Sequence, residues 1–379
     1  MSKVLLGDVA HEHKETCKGS KDGYPIVGLE HLIPEEITLT TWDEGSENTF
    51  TKMFRKGNVL FGRRRAYLKK AVVAPFDGIC SGDITVIEAD PDKTLPDLLP
   101  FIIQNDDLFD FAVEKSAGSL SPRVKWEHLK NYEFELPDMD KQKELAELLW
   151  AIDDTKKSYQ ELIAATDELV KSQFIEMFGG VEEKLFLKDC CTLHARVGWQ
   201  ALKKDEHQET GDYMLITGTD FRNGKVDYST CVYVSKERYD MDPYIQVQDG
   251  DILITKDGTI GKVAIVEGLP KPATLNAGVF VVRPDGRFNV GYFSYLFKGP
   301  IFADFVEASK TGSTIKHLNQ AKLLKYEIPA AQPDKQEEFA SIYAQSDKSK
   351  LLLQNRYEIM NQVDRRLLTC LMKTTRLSR

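Results

Sequence analysis

Six short matches recur in the same order in the two halves of this 379-residue chain, and that repetition limits its possible folds more than any other feature. Tyr132-Glu133-Phe134 matches Tyr326-Glu327-Ile328, and Asp140-Lys141-Gln142-Lys143-Glu144 matches Asp334-Lys335-Gln336-Glu337-Glu338, both at an offset of 194. Gly118-Ser119 and Gly312-Ser313 share that offset. Gly57-Asn58-Val59-Leu60 matches Gly250-Asp251-Ile252-Leu253 at 193. Tyr24-Pro25-Ile26-Val27 resembles Tyr213-Met214-Leu215-Ile216 at 189, and Lys3-Val4-Leu5-Leu6-Gly7-Asp8 resembles Lys184-Leu185-Phe186-Leu187-Lys188-Asp189 at 181. An offset that rises smoothly along the chain is the mark of a duplicated unit of about 190 residues with loop insertions in its second copy.

Each copy ends in a stretch with the period of a long helix. Leu145, Leu148, Ile152, Thr155, Tyr159, Leu162, Thr166, Leu169 and Gln173 alternate by three and four residues, the seam of a coiled coil. Adding 194 gives Phe339, Ile342, Ser346, Ser349, Leu353, Arg356, Met360, Val363 and Leu367, in the same phase but more polar. Asp140 and Asp334 are placed to cap these helices, just after Pro137 and Pro333, and Gly179-Gly180 stops the first. From Lys141 to Phe178 the first helix spans about 57 Å at 1.5 Å per residue. A helix that long with one apolar seam needs a partner, and its repeat copy is the obvious one; two ordinary core helices is the plainer alternative.

The remaining parts alternate short apolar runs with turns. Val59-Leu60-Phe61, Ala71-Val72-Val73, Ile84 to Ile87, Ile252 to Ile254, Val263 to Val266 and Val279 to Val282 read as strands, with Asn223-Gly224 and Asp285-Gly286 as hairpin-type turns. Residues 97–114 and 290–307 read as short amphipathic helices. The expected fold is α+β: two recognition-type domains with small curled sheets, 1–137 and 181–333, separated by an antiparallel coiled coil of two long helices, 138–180 and 334–379, in a pseudo-twofold internal repeat.

Composition removes some functions. No run of 18 apolar residues exists, so no membrane helix is expected, and MSKVLLGDVAHEHKE lacks the apolar core of a secretion signal. The six cysteines show no C-x-x-C pair or zinc spacing and read as free thiols in a cytoplasmic protein. A net charge of −9 leaves only local basic clusters for nucleic acid. Gly258 to Val263 lacks P-loop spacing, Asp242-Pro243-Tyr244 lacks the second proline of an amino-methyltransferase loop, His11-Glu12-His13 is not H-E-x-x-H, and no G-x-S-x-G occurs. No catalytic residue and no metal site is expected. Trp42 and Trp126 read as core residues.

The basic clusters carry more. Arg63, Arg64, Arg65, Tyr67, Lys69 and Lys70 fall between two predicted strands, where arginine forks suit guanine edges and phosphates; the alternative is a solvated hairpin. Lys256, Thr259 and Lys262 occupy the corresponding turn, with Lys69 and Lys262 expected to correspond. Ser119 with Arg123, and Ser313 with Thr314 and Lys316, sit in Gly-Ser loops that suit phosphate contact, or are turns leading into the Leu129 and Leu323 segments. Trp199, Lys203, Lys204, Arg222 and Asn223 complete the exposed candidates.

In their order these residues resemble the specificity subunits of type I restriction-modification systems, across nearly the whole chain. The resemblance rests on Lys3 to Val9 and Lys184 to Asp189 at the domain starts, Gly250-Asp251-Ile252-Leu253 through Gly261-Lys262, Thr311 to Ile315, and the helix entries Pro137 to Gln142 and Pro333 to Gln336. Arg63 to Lys70 departs from the family's Gly-x-x-Gly-Lys-like turn. The resemblance implies a non-catalytic reader of double-stranded DNA that recruits two adenine methyltransferase subunits, which bring S-adenosylmethionine. It admits restriction subunits, translocase-nucleases that use ATP and magnesium. The helices would act as a ruler, so the target would be two different short half-sites about one DNA turn (~34 Å) apart around an unread spacer. A protein-binding scaffold with two similar domains on a coiled-coil spacer is the competing reading.

Overall fold

The structure is a computed structural model that describes residues 2–45, 48–197, 202–311 and 317–371; the side chains at 204, 300, 310, 311 and 369–371 lie outside the description. The chain divides into two compact units, one of residues 1–162 with 353–379 and one of residues 163–352. The long helices, Met139–Phe178 and Pro333–Leu371, are therefore each shared between units.

In the first unit, strands Ala10–Glu12, Ile84–Ala89, Val59–Gly62 and Ala71–Val73 form an antiparallel sheet in that order. Every residue of Val59–Gly62 is buried because both sheet faces are covered. Val59, Phe61, Ala71 and Ile87 enter one core with the short helices Leu99–Ile103 and Asp106–Glu114, while Leu60, Val72, Ile84 and Val86 enter a second. This double burial explains why the strands read as continuous apolar runs and not as alternating ones. A smaller sheet orders Ile26–Val27, Gly78–Cys80 and Lys52–Phe54, the first pair parallel. Ser2–Leu5 pairs antiparallel with Glu133–Leu136, which brings the chain start to the foot of the first long helix.

The second unit is built the same way. Cys191–Ala195, Val279–Pro284, Ile252–Thr255 and Val263–Ile265 repeat the strand order, and Lys225–Val226 and Phe221–Arg222 extend it. Ile252, Ile254, Phe280 and Val282 face one core; Leu253, Ala264, Val279 and Val281 face the other. Tyr213–Ile216 runs parallel to Ala273–Leu275, and Lys184–Phe186 pairs with Glu327–Pro329. Asn223 (φ +49°) and Gly224 (φ +74°) make the expected hairpin turn. Asp285-Gly286 instead leads from a strand toward the helix Val290–Tyr295, whose start Asn289 caps, with Asp285 paired to Arg287 within the turn.

The long helices correct two expectations. Asp138, not Asp140, accepts from the Lys141 N–H (3.0 Å), and Pro333 is the first residue of its helix, which puts Asp334 inside the first turn. The stripe that faces inward is the expected one only in part: Leu145, Ile152, Thr155, Tyr159, Thr166 and Gln173 are buried or half-buried as expected, and the other three positions of the first seam are not. In the first unit Gln142, Leu145, Leu149, Ile152, Lys156 and Tyr159 are buried or half-buried, and in the second Ile163, Thr166, Val170, Gln173 and Met177 continue the pattern. Leu148, Leu162 and Leu169 are exposed, each one position away from this stripe. Val363 is likewise exposed, and the second helix turns Gln336, Phe339, Tyr343, Ser346 and Lys350 inward in one unit and Leu353, Tyr357, Met360, Asp364 and Leu367 in the other. Ile342 is half-buried beside Tyr343. Helix pairing is antiparallel within each unit: Lys156 meets Asp364 (3.1 Å) and Gln160 meets Tyr357 (3.0 Å) in the first, while Lys350 meets Asp167 (2.7 Å) and Phe174 stacks edge-on to Phe339 in the second.

A buried glutamine ties each helix start to its unit. The Gln142 amide accepts from the Leu95 N–H (2.8 Å) and donates to the Pro137 carbonyl (2.9 Å); Gln336 accepts from the Asn289 N–H (2.8 Å) and donates to the Ala331 carbonyl (2.7 Å). Trp126 enters the core as expected, whereas Trp42 is 40% exposed and lies edge-on to Phe76. No helix among the described residues is long and apolar enough to cross a membrane.

Candidate nucleic-acid interface

After strand Val59–Gly62 the chain turns through Arg63–Lys70 into Ala71–Val73. The turn needs left-handed backbone at Arg65 (φ +55°) and Lys69 (φ +51°), on either side of the 3-10 turn Ala66–Leu68. Each such side-chain-bearing residue costs about 1 kcal/mol or more, so the surroundings must hold it in place. They do: the Arg65 N–H donates to the Pro122 carbonyl (2.8 Å), and the Val124 N–H donates to the Arg63 carbonyl (3.0 Å). Ala117 and Arg123 exchange two backbone hydrogen bonds at 3.0 Å, closing the Gly-Ser loop beside the arginine turn.

Asp83 joins these segments. Its carboxylate accepts from Arg123 Nε (2.7 Å) and Nη2 (3.3 Å) and from Arg64 Nη1 (3.4 Å), while Arg64 Nε donates to Ser121 Oγ (2.8 Å). The Arg123 fork holds the Asp83 carboxyl below the usual carboxylate range, and Asp83 in turn raises the Arg123 guanidinium. The two basic loops singled out in the sequence are thus brought together by an acid that the sequence did not single out. Its partners lie 19 and 40 residues away, so no local motif marks it.

The candidate cations then separate by role. Lys69 pairs with Asp106 and Lys70 donates to the Leu29 carbonyl (2.7 Å), so both serve the shape of the turn. Arg63 Nε is buried without a partner. Arg65, Tyr67 and Ser119 are exposed and make no side-chain hydrogen bond or ion pair among the described residues, which leaves them for an outside ligand.

The second unit carries the same frame with different chemistry. Lys256 N–H donates to the Gly278 carbonyl (2.9 Å) and Leu318 N–H to the Lys256 carbonyl (3.0 Å), as Arg63 N–H does to Asp83 (3.0 Å) and Val124 N–H to Arg63. Lys256 therefore stands in the place of Arg63, Asp257 in that of Arg64, and His317 in that of Arg123. Asp257 Oδ1 lies 2.5 Å from His317 Nδ1, so a carboxylate–imidazole pair replaces two arginines around an acid. Lys256 Nζ sits 5.5 Å above the Phe280 ring. Gly258 (φ +68°) and Gly261 (φ +83°) take the left-handed positions that Arg65 and Lys69 occupy in the first unit. The Thr255 N–H bonds the Lys262 carbonyl as the Gly62 N–H bonds that of Lys70, so Lys262 answers to Lys70 and not to Lys69. The first turn is one residue longer, which shifted the sequence correspondence by one.

Thr259 is exposed and its carbonyl accepts from Thr255 Oγ1; Lys262 is exposed. Arg222 and Asn223 project at the tip of their hairpin, Arg222 Nη1 donating back to the Phe221 carbonyl (3.3 Å). Lys203 is exposed, with its N–H bonded to Glu206 (2.8 Å), and Lys204 opens the 3-10 turn Lys204–Glu206. Trp199, Ser313, Thr314 and Lys316 lie outside the described residues.

Two further polar features were not legible in the sequence. Glu30, His31 and Asp43 bring ligand-type atoms within 4.8 Å of one another. His31 Nδ1 accepts from the Gly28 N–H (3.0 Å), which puts the ring proton on Nε2 facing Asp43 (3.6 Å), so neither nitrogen offers a lone pair to a cation. Arg196 is fully buried, donating to the Leu275 carbonyl (2.8 Å) and Thr274 Oγ1 (3.0 Å), with Nη1 unpartnered and the guanidinium pKa lowered by burial.

Comparison with known proteins adds to this geometry. The sequence matches the family described as type I restriction modification DNA specificity domain twice, over residues 3–165 and 182–363. It is 27% identical over 176 residues to the Escherichia coli type I restriction enzyme EcoDI specificity subunit, a match covering 45% of this chain and 36% of that relative, and so only about a third of the relative's length. The fold is similar to a crystal structure of a type I restriction-modification system S subunit from M. genitalium (TM-score 0.60, 14% identity, 98% of this chain and 96% of that one). It is also similar to a chain from a structural study of complex assembly and conformational transition of the type I R-M system (TM-score 0.56, 17% identity, 97% and 96%).

Proposed function

Because the chain belongs to the family of type I restriction modification DNA specificity domains, we propose that it reads a two-part, asymmetric DNA target for a methyltransferase and leaves the spacer between the parts unread. The observation that carries this reading is one frame with two chemistries. The same backbone bonds present Arg64 and Arg123 around Asp83, beside an exposed Arg65, in one unit and Lys256, Asp257 and His317 in the other. Arginine forks favour guanine edges and phosphates, whereas a carboxylate accepts from a cytosine amino group. Two readers of common build and different side chains suit two different half-sites.

In this reading the long helices, antiparallel within each unit, serve as a coiled-coil spacer between two readers of repeated build. The inward stripe supports this: it repeats at an offset of 194, with Gln142, Leu145, Leu149 and Lys156 answering to Gln336, Phe339, Tyr343 and Lys350. The outer helix faces carry exposed Leu148, Leu162, Leu169 and Ile359, apolar surface that suits the recruitment of methyltransferase subunits. Those subunits supply S-adenosylmethionine and the chemistry, and restriction subunits, where present, supply ATP hydrolysis; no catalytic step is assigned to this chain. Methylome sequencing of cells with and without the gene tests the reading. Loss of one two-part methylated motif is the expected result, and an unchanged methylome overturns it. Enrichment of no duplex from a random pool in the presence of a methyltransferase subunit would favour the protein-binding scaffold.

A further inference from the structure

Leu120 is 91% exposed, more than any other large apolar side chain among the described residues. Its loop is nevertheless firmly built. Gly118 (φ +113°) turns the chain, the Ala117–Arg123 pair closes the loop with two hydrogen bonds at 3.0 Å, Ser121 Oγ accepts from Arg64 Nε, and the Pro122 carbonyl accepts from the Arg65 N–H. Asp83 fixes Arg123 at the base. A leucine held at the tip of an anchored turn, with the Arg64 and Arg123 guanidiniums at its base, exposed Arg65 bonded through its backbone to the same loop and no part of the described chain covering it, gains nothing for the fold. It is placed to gain by entering an apolar space supplied by a ligand whose rim is anionic.

Duplex DNA has that arrangement: phosphates at the edge and base faces inside. Apolar wedges of this kind part a base step and kink the helix when flanking cations hold the backbone. We propose that Leu120 inserts between two base pairs of the half-site read by the first unit, with Arg65 and Ser119 on the adjoining phosphates. The inference rests on the DNA-reading function above and adds a specificity mechanism to it: steps that unstack easily, such as TA and CA/TG, are favoured where Leu120 enters. At the corresponding place in the repeat, 194 residues on, the sequence has Thr314, a polar residue unsuited to a wedge. The distortion is therefore expected in one half-site only.

The test uses the full chain with its methyltransferase subunit and a duplex carrying the motif recovered from the methylome, with 2-aminopurine placed in turn at each position. Wild-type protein should raise the fluorescence at one step in one half-site. Leu120→Ala should abolish that rise and weaken binding by roughly tenfold to a hundredfold, the loss expected for one buried leucine contact, while Leu120→Met retains both. Leu120 is too exposed for either change to unfold the domain. Wild-type binding without any fluorescent step, or a step unaltered in Leu120→Ala, overturns the wedge and leaves the DNA reading standing. Failure of the wild-type complex to bind any duplex overturns both. Loss of methyltransferase association in Leu120→Ala with the fluorescent step intact would assign the residue to protein docking and overturn the wedge.

Discussion

Replacing Gln142 with leucine tests how the long helix is fixed to the first unit. Gln142 is 1% exposed, and its amide serves the Leu95 N–H at 2.8 Å, the Pro137 carbonyl at 2.9 Å and, more weakly, the Lys93 carbonyl at 3.3 Å. Leucine fills the same volume and leaves at least one donor and one acceptor buried without partners. Each orphaned group costs about 1–3 kcal/mol, so the loss should be about 2–6 kcal/mol, reduced toward the lower half by the added apolar burial. Urea titration read by region-resolved hydrogen exchange should place that loss in segments 93–97 and 137–149 and leave 163–352 unchanged. Gln142→Glu keeps an acceptor for Leu95, donates at most once and only while protonated, and buries a carboxyl, so its deficit should grow as pH rises through the carboxylate range. A Gln142→Leu protein within 0.5 kcal/mol of wild type would refute the claim that the glutamine anchors the helix.

Leu149→Ala should cost about 2–4 kcal/mol, because Leu149 is buried, whereas Leu148→Arg one residue away should leave stability within about 0.5 kcal/mol and weaken co-purification of a methyltransferase subunit; equal melting temperatures would reject the helix phase. Removing one member of the Lys156–Asp364 pair, whose side chains are 11% and 15% exposed, should cost about 3 kcal/mol, and the double change Lys156→Met with Asp364→Leu should recover most of it by denaturant midpoint. Asp83→Ala should lower DNA affinity and lose discrimination in one half-site only, as measured by competition with half-site mutants. Because the folded Asp83 pKa lies below its unfolded value of 3.8, its contribution to stability is present above about pH 4 and is lost as pH falls through the folded value; an acid unfolding curve identical to that of Asp83→Ala would count against the clamp.

The repeat was legible in the sequence because it lives in elements whose chemistry is local. The strand Val59–Gly62 and its counterpart Ile252–Thr255 read as apolar runs because each is buried on two faces, and Gly57 and Gly250 precede them because both need left-handed backbone (φ +88° and +90°). The helix phase was legible only in part. Counting leucines selected Leu148, Leu162 and Leu169, which point outward, and passed over Gln142 and Lys156, which are 1% and 9% exposed. A stripe that includes an amide tie and an ammonium paired across the helices does not look apolar. Exposed leucines flanking the stripe complete the disguise, so hydrophobic periodicity reports the sum of an inward and an outward surface.

The candidate site was half legible for a different reason. Positive charge at Arg63, Arg64, Arg65 and Arg123 can be read from sequence, but which of them is free cannot, since that depends on acids brought in by the sheet. Asp83 engages Arg64 and Arg123, Asp106 engages Lys69, and Arg65 is left to face outward on left-handed backbone. That last feature has a consequence for how a reader of this type can change its target. Where the second unit has Gly258 and Gly261, the turn is unstrained and bare; where the first has Arg65 and Lys69, a side chain is carried at a conformation that glycine would adopt freely. The cost of about 1 kcal/mol at each position is small against the 1–3 kcal/mol of discrimination from one bidentate base contact. At Gly258, where a side chain would meet open space, a site can therefore acquire a contact by replacing a turn glycine without altering the strands on either side, and the frame bonds shared by Arg63 and Lys256 stay in place while the chemistry they present diverges.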